Sequence, residues 1–168
     1  AHNTPMKLLT RDRFREDCLE RDNHRCIVCQ NPKDLSVHHI IERRLWHDGG
    51  YYLENGATLC ETHHIQAETT ELSCEKIREL LNIQKPILPE DYYHDHIYTK
   101  WGDVILPNGT RMKGPLFNDD SVQKILKDYL SLYTDYVKYP RTRHLPFSEG
   151  VNKDDKVLKN CQIFENKD

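Results

Sequence analysis

Residues 37–67 read VHHIIERRLWHDGGYYLENGATLCETHHIQA. The run holds His38, His39, His63 and His64 together with Asn55 and Cys60, and a CxxC pair, Cys26 and Cys29, lies just upstream. Packing selects apolar residues at regular periods, not histidines and cysteines at ligand spacing. The stretch therefore predicts two metal sites on one small scaffold, one structural and one chemical.

Working outward, 35–41 (LSVHHII) reads as a strand entering the site. The polar, glycine-bearing 42–56 reads as a loop whose clearest turn is Asp48-Gly49-Gly50. Residues 57–59 form a short return strand, and a helix follows from Glu61 to about Thr69. Upstream, 23–30 (NHRCIVCQ) looks like a zinc knuckle, a tight turn that places two thiolates on one ion. Before it, 10–22 is helical, with Thr10 as N-cap and Phe14, Cys18 and Leu19 on one face. Arg11, Arg15 and Arg21 on that helix either touch phosphate or sit on an ordinary solvated face.

Downstream, 72–83 is a second helix capped by Ser73. A connector with Pro86 and Pro89 follows, and 97–112 suggests a hairpin turning at Asn108-Gly109. The most periodic helix spans 121–137, with Val122, Ile125, Leu126, Tyr129, Tyr133, Tyr136 and Val137 in one stripe that reads as core. From Tyr139 the chain is turn-rich and polar. The expected divisions are a zinc-stabilised core with its N-terminal helix over 6–70, a helical and hairpin extension over 71–138, and an irregular segment over 139–168.

The whole chain has 168 residues, a net charge of −3 and a mean hydropathy of −0.81. That is one domain or two small ones with a thin core. No run approaches the roughly 20 apolar residues of a membrane span. The first five residues read as foreign to a chain that starts at Met6, and nothing there resembles a signal peptide. A cytoplasmic setting is expected, where six cysteines favour metal ligation over disulfides. With so little net charge, any attraction to phosphate must come from local patches and a bound cation.

Cys26, Cys29, Cys60 and His63, at C-x2-C and C-x2-H spacing, would close a tetrahedral Cys3His zinc site. The His63–His64 pair leaves the register of the fourth ligand ambiguous. A domain with little core benefits from such a clamp, because metal affinity becomes folding free energy. His38 and His39 are neighbours on a strand and point to opposite faces, so one can bind a metal while the other reaches a substrate. His64 lies on the helix, with Glu68 one turn on. A strand histidine plus a helix histidine makes an open, hydrolytic metal site. Arg43 and Arg44 follow the strand, and one of the two is expected to hold a flanking phosphate; His47 and Tyr51 are nearby. Cys18, Cys74 and Cys161 have no partner at ligand spacing.

Cys26-x2-Cys29, then Val-His-His-Ile, Gly-Gly, Glu-Asn-Gly-Ala-Thr-Leu-Cys and His64 together resemble the HNH endonuclease family over about residues 23–70. The resemblance implies an α+β chain with a ββα-metal core and a structural zinc, extended here by further helices and the small hairpin. It implies His39 as general base and Asn55 as the residue that braces the loop and orients it. His38 and His64 would hold a catalytic divalent ion, Mg2+ or another, with Glu68 as third ligand or as partner to a ligand. The family usually has a fourth cysteine where this chain has His63, a change zinc tolerates.

The implied activity is metal-dependent hydrolysis of phosphodiesters, in DNA more than RNA. Two alternatives are a zinc-stabilised nucleic-acid-binding module without catalysis, and an RNA-processing nuclease that works beside an RNA ligase. The last arises because YPRTRHLPFSEGVNKDDK, 139–156, resembles the leader before the nucleotidyl-lysine motif of RNA ligase-family proteins. The Lys-x-Asp-Gly motif itself is absent, so no ligase activity carries over.

Overall fold

A computed structural model describes residues 6–130, the side chains of 128–130 excepted. The ligase-like run 139–156, Cys161 and the end of the last helix lie outside the described residues. The chain forms two compact units, divided after Asp91.

The first unit starts with α1 (Arg11–Arg21), where Thr10 accepts a hydrogen bond from Arg13 N at 3.1 Å and so caps the first turn. Phe14 and Cys18, one turn apart, are its buried residues. β1 (Ser36–His39) and β2 (Gly56–Leu59) pair antiparallel, with Val37 opposite Thr58 and His39 opposite Gly56. α2 (Glu61–Glu68) follows directly, giving the strand, loop, strand, helix order expected.

α1 packs on this hairpin at Gly56. A Cβ there would come within 2.5 Å of Cys18 Sγ and 2.7 Å of the Phe14 ring, so only glycine permits that approach. The outer edge of β2 is closed by side chains and loop. Asp22 accepts from Thr58 N at 3.0 Å, and Thr58 O accepts from Ile27 N at 3.0 Å. Arg21 donates to Leu53 O and Gly56 O, both at 2.7 Å, while pairing with Asp22. A two-stranded hairpin is marginal alone; here both free backbone groups of Thr58 are satisfied from the flanking segments.

The loop between the strands is more ordered than its composition suggests. It carries 3-10 turns at Arg43–Leu45 and Leu53–Asn55. Gly49 and Gly50 have φ of 89° and 68°, and a Cβ at Gly50 would sit 2.6 Å from the Trp46 ring. Asp48 accepts from Gly50 N at 3.0 Å and from the Tyr52 hydroxyl at 2.6 Å. α3 (Cys74–Leu80), capped by Ser73, belongs to this first unit, whereas the sequence groups it with the extension. Its buried Cys74 thiol reaches Ile40 O at 3.5 Å, which ties it to the end of β1.

In the second unit, the hairpin expected over 97–112 is a three-stranded meander of very short strands. β3 (Ile97–Tyr98), β4 (Val104–Ile105) and β5 (Arg111–Met112) pair in order. The expected turn at Asn108-Gly109 joins β4 to β5, with Asn108 Oδ1 accepting from Thr110 N and Gly109 at φ 90°. A second turn, missed in the sequence, joins β3 to β4 through Thr99 and Gly102. α4 (Asp120–Leu130) buries Val122 and Leu126 with Trp101 and Phe117, with Ile125 packed against them. The expected stripe is core as far as the described side chains reach.

Candidate metal centres

Cys26, Cys29, Cys60 and His63 bring one ligand atom each within 4.8 Å of one another. Two positive-φ residues, Asn23 and His24, turn the chain out of α1 into the knuckle. Within it, Gln30 N bonds Cys26 O at 2.8 Å and Val28 N lies 3.4 Å from Cys26 Sγ. Cys60 is the N-cap residue of α2 and makes no side-chain capping bond, because its sulfur faces the cluster.

The distances test the fit. With Zn–S about 2.3 Å and Zn–N about 2.0–2.1 Å, a tetrahedral ion holds two sulfurs roughly 3.8 Å apart and a sulfur and nitrogen roughly 3.6 Å apart. Cys29 and Cys60 Sγ are separated by 3.8 Å, and Cys26 Sγ lies 3.6 Å from His63 Nδ1. Cys60 Sγ and His63 Nδ1 are closer, at 3.2 Å. The cluster is compatible with zinc. Burial pushes the Cys26 thiol up, but N–H groups of Cys29, Cys60 and Val28 and the His63 side chain outweigh it and bring it down to about 7. Its sulfur is thus disposed to be a thiolate, the form that binds metal. Cys18 is the opposite case: buried on the inner face of α1, its thiol is pushed up to about 12. It is a neutral packing residue.

A second group, His38, His64 and Glu68, also brings its ligand atoms within 4.8 Å. His38 is 2% exposed, and its ring meets that of His64 edge-on at 5.3 Å. His64 Nε2 lies 3.6 Å from Glu68 Oε2, one turn along α2. On its other side His64 Nδ1 is 3.2 Å from Ser36 Oγ. Sequence reasoning missed Ser36. Its signal is strand periodicity: Ser36 and His38 are two apart on β1 and so share a face. With Nδ1–H donated to the serine, Nε2 keeps its lone pair for an ion, the usual way a neighbour fixes a histidine ligand. Three oxygen and nitrogen donors with the remaining positions open suit a divalent ion that still carries water.

His39 is not part of that group. It ends β1 on the other face, stacked on Phe14 at 4.7 Å and edge-on to Tyr51 at 5.1 Å. There it lines a cavity of about 580 Å³ with Arg11, Asp12, Phe14, Arg15, Val37, Arg43 and Tyr51. Of the two loop arginines, Arg43 lines this cavity, while Arg44 is paired with Glu42 at 2.6 Å. His47 is exposed and does not line it.

Asn55 is buried and works through backbone. Its Oδ1 accepts from Ile41 N at 3.0 Å, and its Nδ2 donates to Ile41 O and Gly50 O, each at 3.1 Å. Its own carbonyl accepts from Ile40 N at 2.8 Å. These bonds fix the segment just after His39. All three side-chain bonds of Asn55 thus go to backbone groups, of Ile41 and Gly50.

A short β-hairpin and a helix around two ligand clusters define a ββα metal finger. Residues 26–70 match the family model of the HNH endonucleases, from the first cysteine of the knuckle to just past Glu68. The matched segment is thus similar to HNH domains, a type that binds metal ions and acts on nucleic acid. No curated protein and no solved structure matches the chain. Among the described residues, no helix is long and apolar enough to cross a membrane.

Proposed function

We propose that the first unit is a metal-dependent endonuclease that nicks or cleaves DNA at phosphodiester bonds. The observation that carries this reading is the division of labour along β1: His38 joins His64 and Glu68, while the next residue, His39, opens into an arginine-lined cavity. A divalent ion bound by His38, His64 and Glu68 would polarise the scissile phosphate and neutralise charge on the leaving oxygen. His39 takes the proton from the attacking water; a free imidazole titrates near ~6.5 and is neutral enough at physiological pH to do so. Phe14 and Tyr51 hold its ring from two sides, and Asn55 fixes the backbone that follows it. Ser36 orients His64. Arg43 sits where it can hold a neighbouring phosphate. The Cys3His zinc takes no part in the chemistry and fixes the start of α2, from which His64 and Glu68 project.

The test is supercoiled plasmid incubated with Mg2+, Mn2+ or Ni2+, wild type beside His39→Ala. Nicking by the wild type that collapses in the variant is expected. No nicking with any ion, or full activity in the variant, would sink the catalytic assignment and leave a binding module. RNA and single-stranded DNA in parallel reactions distinguish a DNA enzyme from an RNA-processing one.

A further inference from the structure

The family match begins at Cys26 and leaves out α1, yet α1 supplies a large part of the cavity at His39. Arg11, Asp12, Phe14 and Arg15 all line it. The arginines that precede β2 divide into two sets. Arg13 pairs with Glu16 and Asp17, Arg21 with Asp22, and Arg44 with Glu42, while Arg25 donates to Gln30 O. Arg11, Arg15 and Arg43 are exposed, and none has an ion pair or side-chain hydrogen bond to a described residue. These three converge on one cavity, opposed there by one carboxylate, Asp12.

We infer that α1 is the phosphate-gripping wall of the site: Arg11 and Arg15, with Arg43 across the cavity, hold the sugar–phosphate backbone of the nucleic acid that His39 faces. The inference rests on the nuclease reading for why a nucleic acid is there, but it concerns binding and is tested without cleavage. Arg11 and Arg15 lie four residues apart, about 6 Å along the helix, a spacing on the scale of neighbouring phosphates in one strand. α1 cannot drift from the cavity. Phe14 stacks on His39, Gly56 admits the helix at van der Waals distance, and Leu9 N bonds Tyr51 O at 2.8 Å. Asp12 tempers the grip, as a carboxylate placed near phosphates must.

The experiment measures binding of a fluorescent DNA duplex by anisotropy across a salt series, with zinc-loaded protein and no added divalent ion. Each phosphate neutralised contributes about 0.9 to the slope of log K against log salt. Arg11→Gln/Arg15→Gln is expected to lower that slope by roughly 2 and to weaken binding at low salt by roughly 10-fold or more. Asp12→Asn should tighten it. Arg13→Gln, on the same helix but paired with Glu16 and Asp17, should leave the slope unchanged. Zinc content and circular dichroism check that each variant is folded, and the single variants Arg11→Gln and Arg15→Gln serve if the double one is not. A slope that does not move in the folded arginine variants overturns the inference, as does an equal loss in Arg13→Gln. Failure of the wild type to bind any duplex overturns it as well. A wild type that binds with the expected slopes but never nicks would refute the nuclease reading and leave this inference standing.

Discussion

The two ligand clusters part at a single peptide bond, between His63 and His64, and differ in each property that matters to a metal. The first is sulfur-rich, drawn from the knuckle and the start of α2, with two edges at the lengths a tetrahedral ion requires. The second is nitrogen and oxygen, drawn from β1 and α2, with three donors and room for water. A closed thiolate shell leaves no position for a substrate; an open histidine–carboxylate shell leaves several. One helix serves both because successive residues project about 100° apart around its axis. The contrast makes separable demands: changes to the first cluster should act on folding, and changes to the second on activity alone.

The largest effect is expected from Cys60→Ser. Apparent zinc affinities in small zinc domains reach about 10–16 kcal/mol, and that energy is folding energy. The variant should lose its zinc by metal analysis and lose the circular-dichroism signal of the first unit. Retention of both would break the comparison. Acid should act at the same place. Folding lowers the Cys26 thiol from 9.0 to about 7, so the thiolate's contribution is complete above the unfolded value and is lost as pH falls through about 7. In the zinc-loaded protein, protons compete with the ion for the same sulfur, so zinc release to a colorimetric chelator should rise as pH falls.

His39→Ala comes next; His39 lies outside both clusters, and its loss should act on the chemistry alone. General-base catalysis contributes about 10²–10⁴-fold, so nicking should fall by that factor with zinc content and thermal unfolding unchanged. A matching fall in stability would mean that His39 is chiefly a packing partner of Phe14. Asn55→Ala tests the loop between the clusters. It strands the Ile41 N–H, while Ile41 O keeps Trp46 Nε1 and Gly50 O keeps Tyr52 N, so a loss of about 1–3 kcal/mol, the cost of one such buried group, is expected in denaturant unfolding. Nicking should fall as well, while zinc stays bound.

What the sequence made legible follows the same division. Local spacing revealed the knuckle, the Cys60–His63 pair, the helix caps at Thr10 and Ser73, and the turns at Gly49-Gly50 and Asn108-Gly109, because each is settled within a few residues. The arrangement around His39 was not legible. Arg11 and Arg15 meet Arg43 only after α1 has folded onto Gly56, and nothing in an exposed arginine announces which side of a helix it will take. Arg21 read as either a phosphate contact or a solvated charge and is instead a staple on Leu53 and Gly56 carbonyls. The loop at 42–56 read as irregular because its order comes from Asn55 reaching back to Ile41, fourteen residues away, which no periodicity records. Tertiary hydrogen bonds of this kind are invisible to pattern.

The smallest effect is the most pointed, because it falls on the junction itself. If His63 serves only the zinc, through Nδ1, then His63→Cys exchanges one good zinc ligand for another in a shell that already holds three thiolates. Zinc content should stay the same, the thermal midpoint should move by the equivalent of about 1 kcal/mol or less, as a conservative change at a well-formed site would, and nicking should stay within a few-fold of wild type. His64→Cys makes the same chemical change one residue later. It removes the imidazole that Ser36 orients and Glu68 adjoins, so zinc should persist while nicking is lost. Equal loss of nicking in the two variants would mean that the clusters are not separate, and that the register dividing them at this peptide bond is wrong.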